Sequence, residues 1–282
     1  MGNLFAIFDL LLVQPTINIL LFFYHLFITA HIPFAFGFAI IALTAFVRLL
    51  LHPFFHKQMQ MTAKMAEVKP HMDRLSKQHG NDKKKLSEEQ MKLYKEMGVN
   101  PASGCLLALV QMPIFIALYQ VLSKFTTNGK GVSHITEEIN KFAYAPFLKV
   151  QSIDPNFFGM NLWAIPSEFQ KYGLWYLSIP VVTAILQYFQ IALSTPKQPD
   201  KAIELKKDIK KNDNDEKKGN MEDMQKAMGT QMKIILPLMI GYFSYTLPVG
   251  LSLYYNIFSL FSIIQYVMYN KKAAKLAALN KK

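Results

Sequence analysis

One cysteine, Cys105, is all the chain contains, which excludes an intramolecular disulfide and a cysteine-based zinc site. Nothing therefore requires an oxidising compartment. Basic residues are missing from the start: no Lys or Arg precedes Arg48, so there is no basic n-region of a secretory signal peptide. "MGNLFA" has Gly2 but carries Ala6 where a myristoylation signal needs Ser or Thr, and no lipid anchor is supported. Acids are missing from the apolar runs at 33–53, 104–123, 173–193 and 233–270, none of which holds an Asp or Glu. No internal repeat is evident.

Apolar residues are abundant. Hydrophobic residues make up 51% of the 282 and charged residues 18%, and the mean hydropathy is +0.15. That balance is foreign to a soluble domain of this size and points to an integral membrane protein. A net charge of +12 would suit nucleic acid, anionic lipid or an acidic partner, so the placement of the charge has to decide.

The four runs are long enough to span a bilayer. The last is cut at "TLPVG", where Pro248 and Gly250 break a helix. It therefore reads as two spans, 233–247 and 248–270, the first short enough for a re-entrant hairpin or a thinned bilayer. Ten Lys and Arg lie in 54–103, ten in 194–233 and five from Lys271 onward, against five in 124–172. By the positive-inside rule the first three segments are cytoplasmic; five crossings then place the amino terminus outside and the carboxyl terminus inside.

The 54–103 segment reads as a helical hairpin. Met61, Met65, Val68, Met72 and Leu75 recur at steps of four and three, the seam of paired helices. "HGND" supplies a turn, and Leu86, Leu93 and Met97 return to a stop at Gly98. Pro70 is expected to kink the first arm. The 194–232 segment, with "KKDIKKNDNDEKKGN", reads as disordered or frayed helix. Residues 1–32 hold an apolar aromatic run interrupted by Pro15 and Asn18, which suggests a helix lying in the outer interface. An outer loop at 124–172 and a basic cytoplasmic tail at 271–282 complete the expected organisation.

Arg48 poses the chemical question. It lies nine positions before Lys57, the next fixed charge, or roughly 13 Å along a helix, close to half of a hydrocarbon core about 30 Å thick. A charge there costs about 2.5–3.5 kcal/mol on insertion scales and normally pairs with an acid, yet the apolar runs offer none. Snorkelling covers roughly 6 Å of the distance. A water-filled cavity, or an anionic group from another chain, remains. Polar residues at helical spacing support the cavity: Thr44, Arg48 and His52; Thr183, Gln187, Gln190 and Ser194; Ser252, Asn256, Ser259 and Ser262 with Tyr266. The bland alternative is that each stripe hydrogen-bonds between packed helices. Together the stripes favour a hydrophilic groove opening to the cytoplasm, where Ser194 and His52 lie.

Several stretches resemble a known family. "AIIALTAFVRLLLHPF", "QMKLYKEMGVNPASGCLLALVQMPIFIALYQVL", "FFGMNLWAIPS" and "PLMIGYFSYTLPVGLSLYYNIFSLFSIIQ" are similar, in order, to the YidC-type membrane protein insertases, relatives of the mitochondrial and chloroplast oxidase-assembly (Albino) insertases. The resemblance implies an all-α, polytopic protein with five transmembrane helices around a hydrophilic groove, plus the cytoplasmic hairpin. In it Arg48 matches the groove arginine and Gln187 a polar groove position. Tyr255 stands where many relatives carry Trp, and Ser259 where they often carry Asn. The implied partners are nascent membrane proteins with short translocated tails, the lipid itself, and, as further candidates, the ribosome and the Sec translocon. The large outer domain of Gram-negative members has no counterpart here, so a minimal bacterial form in the inner (plasma) membrane is expected, without cofactor or metal.

Other classes fit less well. A small-solute transporter or channel using Arg48 as its charge site is the runner-up, but broken inverted repeats are missing and the hairpin is large. An enzyme would need a constellation: His52 and His56 have metal-ligand spacing, but Pro53 intervenes and no third ligand is visible. Nucleic-acid binding lacks a folded aromatic platform. Contact with ribosomal RNA is left to Lys271, Lys272, Lys275, Lys281 and Lys282, which serve equally well to fix topology against lipid.

Overall fold

The computed structural model describes residues 6–79, 82–99, 112, 115–120, 122, 136–137, 139–194 and 219–279. Most of the expected span at 104–123, Cys105, the first part of the outer loop, the Gly80–Asn81 turn and 195–218 lie outside the described residues. The chain divides into two compact units. One comprises Met1–His52, Ala108–Gln190 and Pro237–Gln265, the other Pro53–Leu107, Ile191–Leu236 and Tyr266–Lys282.

In the first unit, a π-helical turn at Asp9–Val13 leads into α1, Gln14–Thr29, and α2 follows at Ala35–Leu50. Pro15 does not end the helix, which runs on from Ala6; the wider π-helical turn at Asp9–Val13 lies directly before it, where the backbone can accommodate a ring and a missing N–H. The stretch Ala6–Thr29 is long and apolar enough to cross a membrane, as are Leu174–Ser194 and Val249–Lys272. Helix α2, at 16 residues or roughly 24 Å, ends at Leu51; together with His52–Met65 it has the length and hydropathy of a broken span or a re-entrant loop.

Between the helical stretches, the segment up to Leu177 is fixed by specific pairs. Asn18 on α1 donates through Nδ2 to the Phe142 carbonyl and accepts from the Tyr144 N–H, at 2.8 and 2.7 Å. Tyr24 donates to the Ser152 carbonyl at 2.9 Å. Asn140 closes a two-bond ring with the backbone of Val150. Asn156–Phe157 and Met160–Asn161 form an antiparallel pair, β1 and β2, the departure from an all-helical reading among the described residues. Their two-residue loop, Phe158–Gly159, has φ of 51° and 82°, the left-handed geometry that suits a tight hairpin. It drives Phe157 onto α2 over Gly37, where any Cβ would collide with the Phe157 ring. Phe34 and Phe38 meet that ring edge-on.

A short helix α3, Phe169–Tyr172, precedes α4, Ser178–Ser194. The last two long helices are α5, Gly219–Thr246, and α6, Val249–Leu279; the break between them falls at Leu247–Pro248. The first amides of α6 have no intrahelical acceptors. The Val249 and Gly250 N–H groups donate instead to the carbonyls of Ala164 and Leu162, at 2.9 and 2.8 Å. The "NLWAIP" motif thus caps the helix that "TLPVG" begins. Helix α5 starts at Gly219, inside the segment read from sequence as disordered or frayed.

In the second unit, α7 spans His52–His79 and α8 spans Lys83–Glu96. Asp82 caps α8 by accepting from the Lys84 and Lys85 N–H groups. Val68, Met72 and Val99 are buried with Met65, Leu93, Tyr94 and Met97 around them, so these methionines pack the hairpin's own seam. Gly98 takes a φ of 62°, the left-handed stop that favours glycine. Helix α7 runs through Pro70.

Candidate functional site

Arg48 is 4% exposed and is held by α6. Its Nη1 donates to Gln265 Oε1 at 3.0 Å, and its Nη2 to the Phe258 carbonyl at 3.0 Å and to Ser262 Oγ. The guanidinium carbon lies 3.8 Å from the centroid of the Phe258 ring. Hydrogen bonds to a charged group contribute about 1.5–3 kcal/mol each, so three outweigh the roughly 2.5–3.5 kcal/mol insertion penalty. Neutral dipoles on one helix therefore keep the charge buried without the acid that sequence reasoning sought.

Helical spacing explains why α6 can do this. Phe258, Ser262 and Gln265 follow one another at four and three residues, on one face. Ser262 also bonds back to the Phe258 carbonyl at 3.0 Å. Gln265 was missed in the sequence, although it extends the Ser252–Ser262 stripe by one further step of three. Ser244 was missed too. A lone serine amid the aromatics of "GYFSYT" was its signal.

Most of the other predicted residues lie in the same unit, whereas Ser194 and Tyr266 fall in the second. Thr44 is buried and bonds back to the Ile40 carbonyl at 2.7 Å. Thr183 reaches Ser244 at 3.2 Å, and Ser244 reaches Ser252 at 2.7 Å, a hydroxyl chain linking α4, α5 and α6. Ser259 donates to Gln187 Oε1 at 3.2 Å. Tyr255 is partly buried against Phe115, ring centroids 5.9 Å apart. The side-chain oxygens of Gln190 and Asn256 are buried without a hydrogen-bond partner among the described residues. The stripes expected to wet a groove thus lie in this structure as a hydrogen-bonded seam, with two acceptors to spare. Among the described residues, no group of three or more His, Cys, Asp or Glu is gathered as a metal site would need.

Long apolar helices joined through a buried polar seam, with an arginine held inside it, define a multi-pass helical membrane protein. The chain belongs to the 60Kd inner membrane protein family, whose model matches residues 27–276. It is 32% identical over 255 residues to inner membrane ALBINO3-like protein 2, chloroplastic, of Chlamydomonas reinhardtii, covering 88% of this chain and 52% of that one. It is 35% identical over 164 residues to membrane protein insertase YidC of Ruegeria sp. (strain TM1040), covering 56% and 25%. Inner membrane protein ALBINO3, chloroplastic, of Arabidopsis thaliana is 31% identical over 249 residues, covering 86% and 48%. The chain thus spans about half the length of these relatives or less. A solved structure, an active YidC insertase crystal structure with the first transmembrane domain resolved, matches at a TM-score of 0.47 and 26% identity, covering 89% of this chain and 44% of that one.

Proposed function

We propose that the chain is a membrane protein insertase, helping nascent membrane proteins with short polar tails to enter the bilayer. Family membership supports the class, and the single observation that carries the mechanism is the Arg48 guanidinium, buried and held by neutral acceptors on α6. A carboxylate on a client's tail is a stronger acceptor than an amide oxygen or a hydroxyl, because both partners are then charged. It exchanges for Gln265 and Ser262, and the arginine stays satisfied throughout. Gln187, Gln190, Asn256 and Ser259 offer acceptors and donors to the tail's backbone as it passes, and Thr44, Thr183, Ser252 and Tyr255 line the same path. Each exchanged bond lowers the cost of desolvating the tail.

The client's apolar helix then leaves into lipid, driven by burial of its hydrocarbon surface. This scheme uses no nucleotide, cofactor or metal and makes or breaks no covalent bond. The cytoplasmic hairpin at 54–103 receives the client, and the basic segments approach the ribosome. The Sec translocon is a further candidate partner. The setting is a bacterial inner membrane, with the amino terminus outside and the carboxyl terminus in the cytoplasm.

The test is reconstitution into proteoliposomes with a single-span client bearing an acidic amino-terminal tail. Insertion by the wild type, its loss in Arg48→Ala and its retention in large part by Arg48→Lys is the expected outcome. Equal insertion by wild type and Arg48→Ala would count against the proposed role of the arginine.

A further inference from the structure

The first unit contains a cavity of about 390 Å³ bounded on one side by the polar seam. Its lining is mainly apolar, from Phe115, Ile240, Leu247 and Leu251, with the Thr183–Ser244–Ser252 hydroxyls along one wall. Those three hydroxyls bond to one another. Among the described lining residues the Tyr119 and Tyr255 hydroxyls stand outside that chain, and each of the several waters that a void this size would hold needs two to four polar partners. Hydrocarbon is therefore the better filling.

The cavity cannot close by letting its helices approach. At Gly241 on α5 even an added Cβ would stand 3.0 Å from the Ala184 Cβ and 3.3 Å from the Pro180 carbonyl of α4, so these two backbones are already at their limit. The hydroxyl chain ties α6 to both. Exposed side chains rim the cavity: Met112, Tyr119 and Phe243 line it and are 49%, 41% and 48% exposed. Two of its walls, α4 and α6, belong to stretches that meet the length and hydropathy of a membrane span. A lasting, apolar void that faces hydrocarbon will be filled by what surrounds it.

We propose that this cavity is a binding site for a lipid acyl chain, which enters between the helices past Met112, Tyr119 and Phe243. The headgroup takes no part in recognition. The occupant is thus lipid and not water, and the chain reaches side chains that no annular lipid can touch.

The wild-type protein, reconstituted with phospholipid carrying a diazirine near the acyl terminus, is irradiated and its adducts mapped by mass spectrometry. Adducts are expected on Leu251, Ser252 or Thr183, which are 1%, 2% and 2% exposed, as well as on outward-facing Val182 and Leu260. Leu247→Trp fills the cavity, so the inner adducts should fall at least fivefold while those on Val182 and Leu260 persist. Wild-type adducts confined to Val182, Leu260 and similar outward residues would overturn the proposal, whatever the variant does. So would inner adducts that depend on headgroup charge.

Discussion

The Arg48 guanidinium and the Gln265 side-chain carbonyl lie 3.0 Å apart, in a partly buried bond between positions 217 residues apart in the chain. Of the three acceptors on α6, Gln265 can be altered most independently of the helix. The Phe258 acceptor is backbone, and Ser262 is also tied to that same carbonyl.

Under the proposed exchange, Gln265 would set how readily the arginine is released to a client. Gln265→Glu replaces a neutral acceptor with a carboxylate, and the resulting ion pair should lower insertion of an acidic-tail client by roughly tenfold, equivalent to about 1.4 kcal/mol. Gln265→Ala should raise or preserve it. A client with a neutral tail should be indifferent to both. Parallel losses in both variants and for both tails would mark Gln265 as merely structural.

Gly37 admits the ring of Phe157, and a methyl there has no space. Gly37→Ala should destabilise the folded protein by about 1–3 kcal/mol, the usual range for overpacking. Thermal unfolding in detergent measures it. Adding Phe157→Ala should recover part of the loss, since the two changes share one contact and should not be additive.

Asn18 anchors the segment after Lys141 to α1 through the Phe142 carbonyl and Tyr144 N–H. Asn18→Leu leaves both backbone groups unpaired, at about 1–3 kcal/mol each where they are buried. The expected result is faster proteolysis within 136–177 of protein in detergent, with little change in the helical circular dichroism. Unaltered cleavage would show that Asn140 and Tyr24 hold the segment without it.

These contacts separate what was legible in sequence from what was not. Arg48 stood out because a lone charge in an apolar run is conspicuous, and the α5–α6 break because Pro248 and Gly250 punctuate it. The Thr183, Gln187, Ser252 and Ser259 stripes were legible as faces. Their mutual pairing was not, because helical periodicity shows which side is polar and not which side it meets. Asn18 read as an interruption since its partners lie 124 and 126 residues away. Pro15 misled similarly: the π-helical turn at Asp9–Val13 just before it lets the helix continue, and no periodicity announces such a turn. An acid was sought for Arg48, yet several neutral dipoles suffice to hold a buried charge.

The account turns on the arginine exchanging its acceptors on α6 for a carboxylate of the client. The most direct measurement is a double-mutant cycle across the two chains, combining Arg48→Gln with Asp-to-Asn changes in the client's tail and reading insertion into proteoliposomes. The two changes should be coupled, with Arg48→Gln costing at least tenfold, or about 1.4 kcal/mol, for the acidic tail and little for the neutral one. An equal loss for both tails would contradict the exchange.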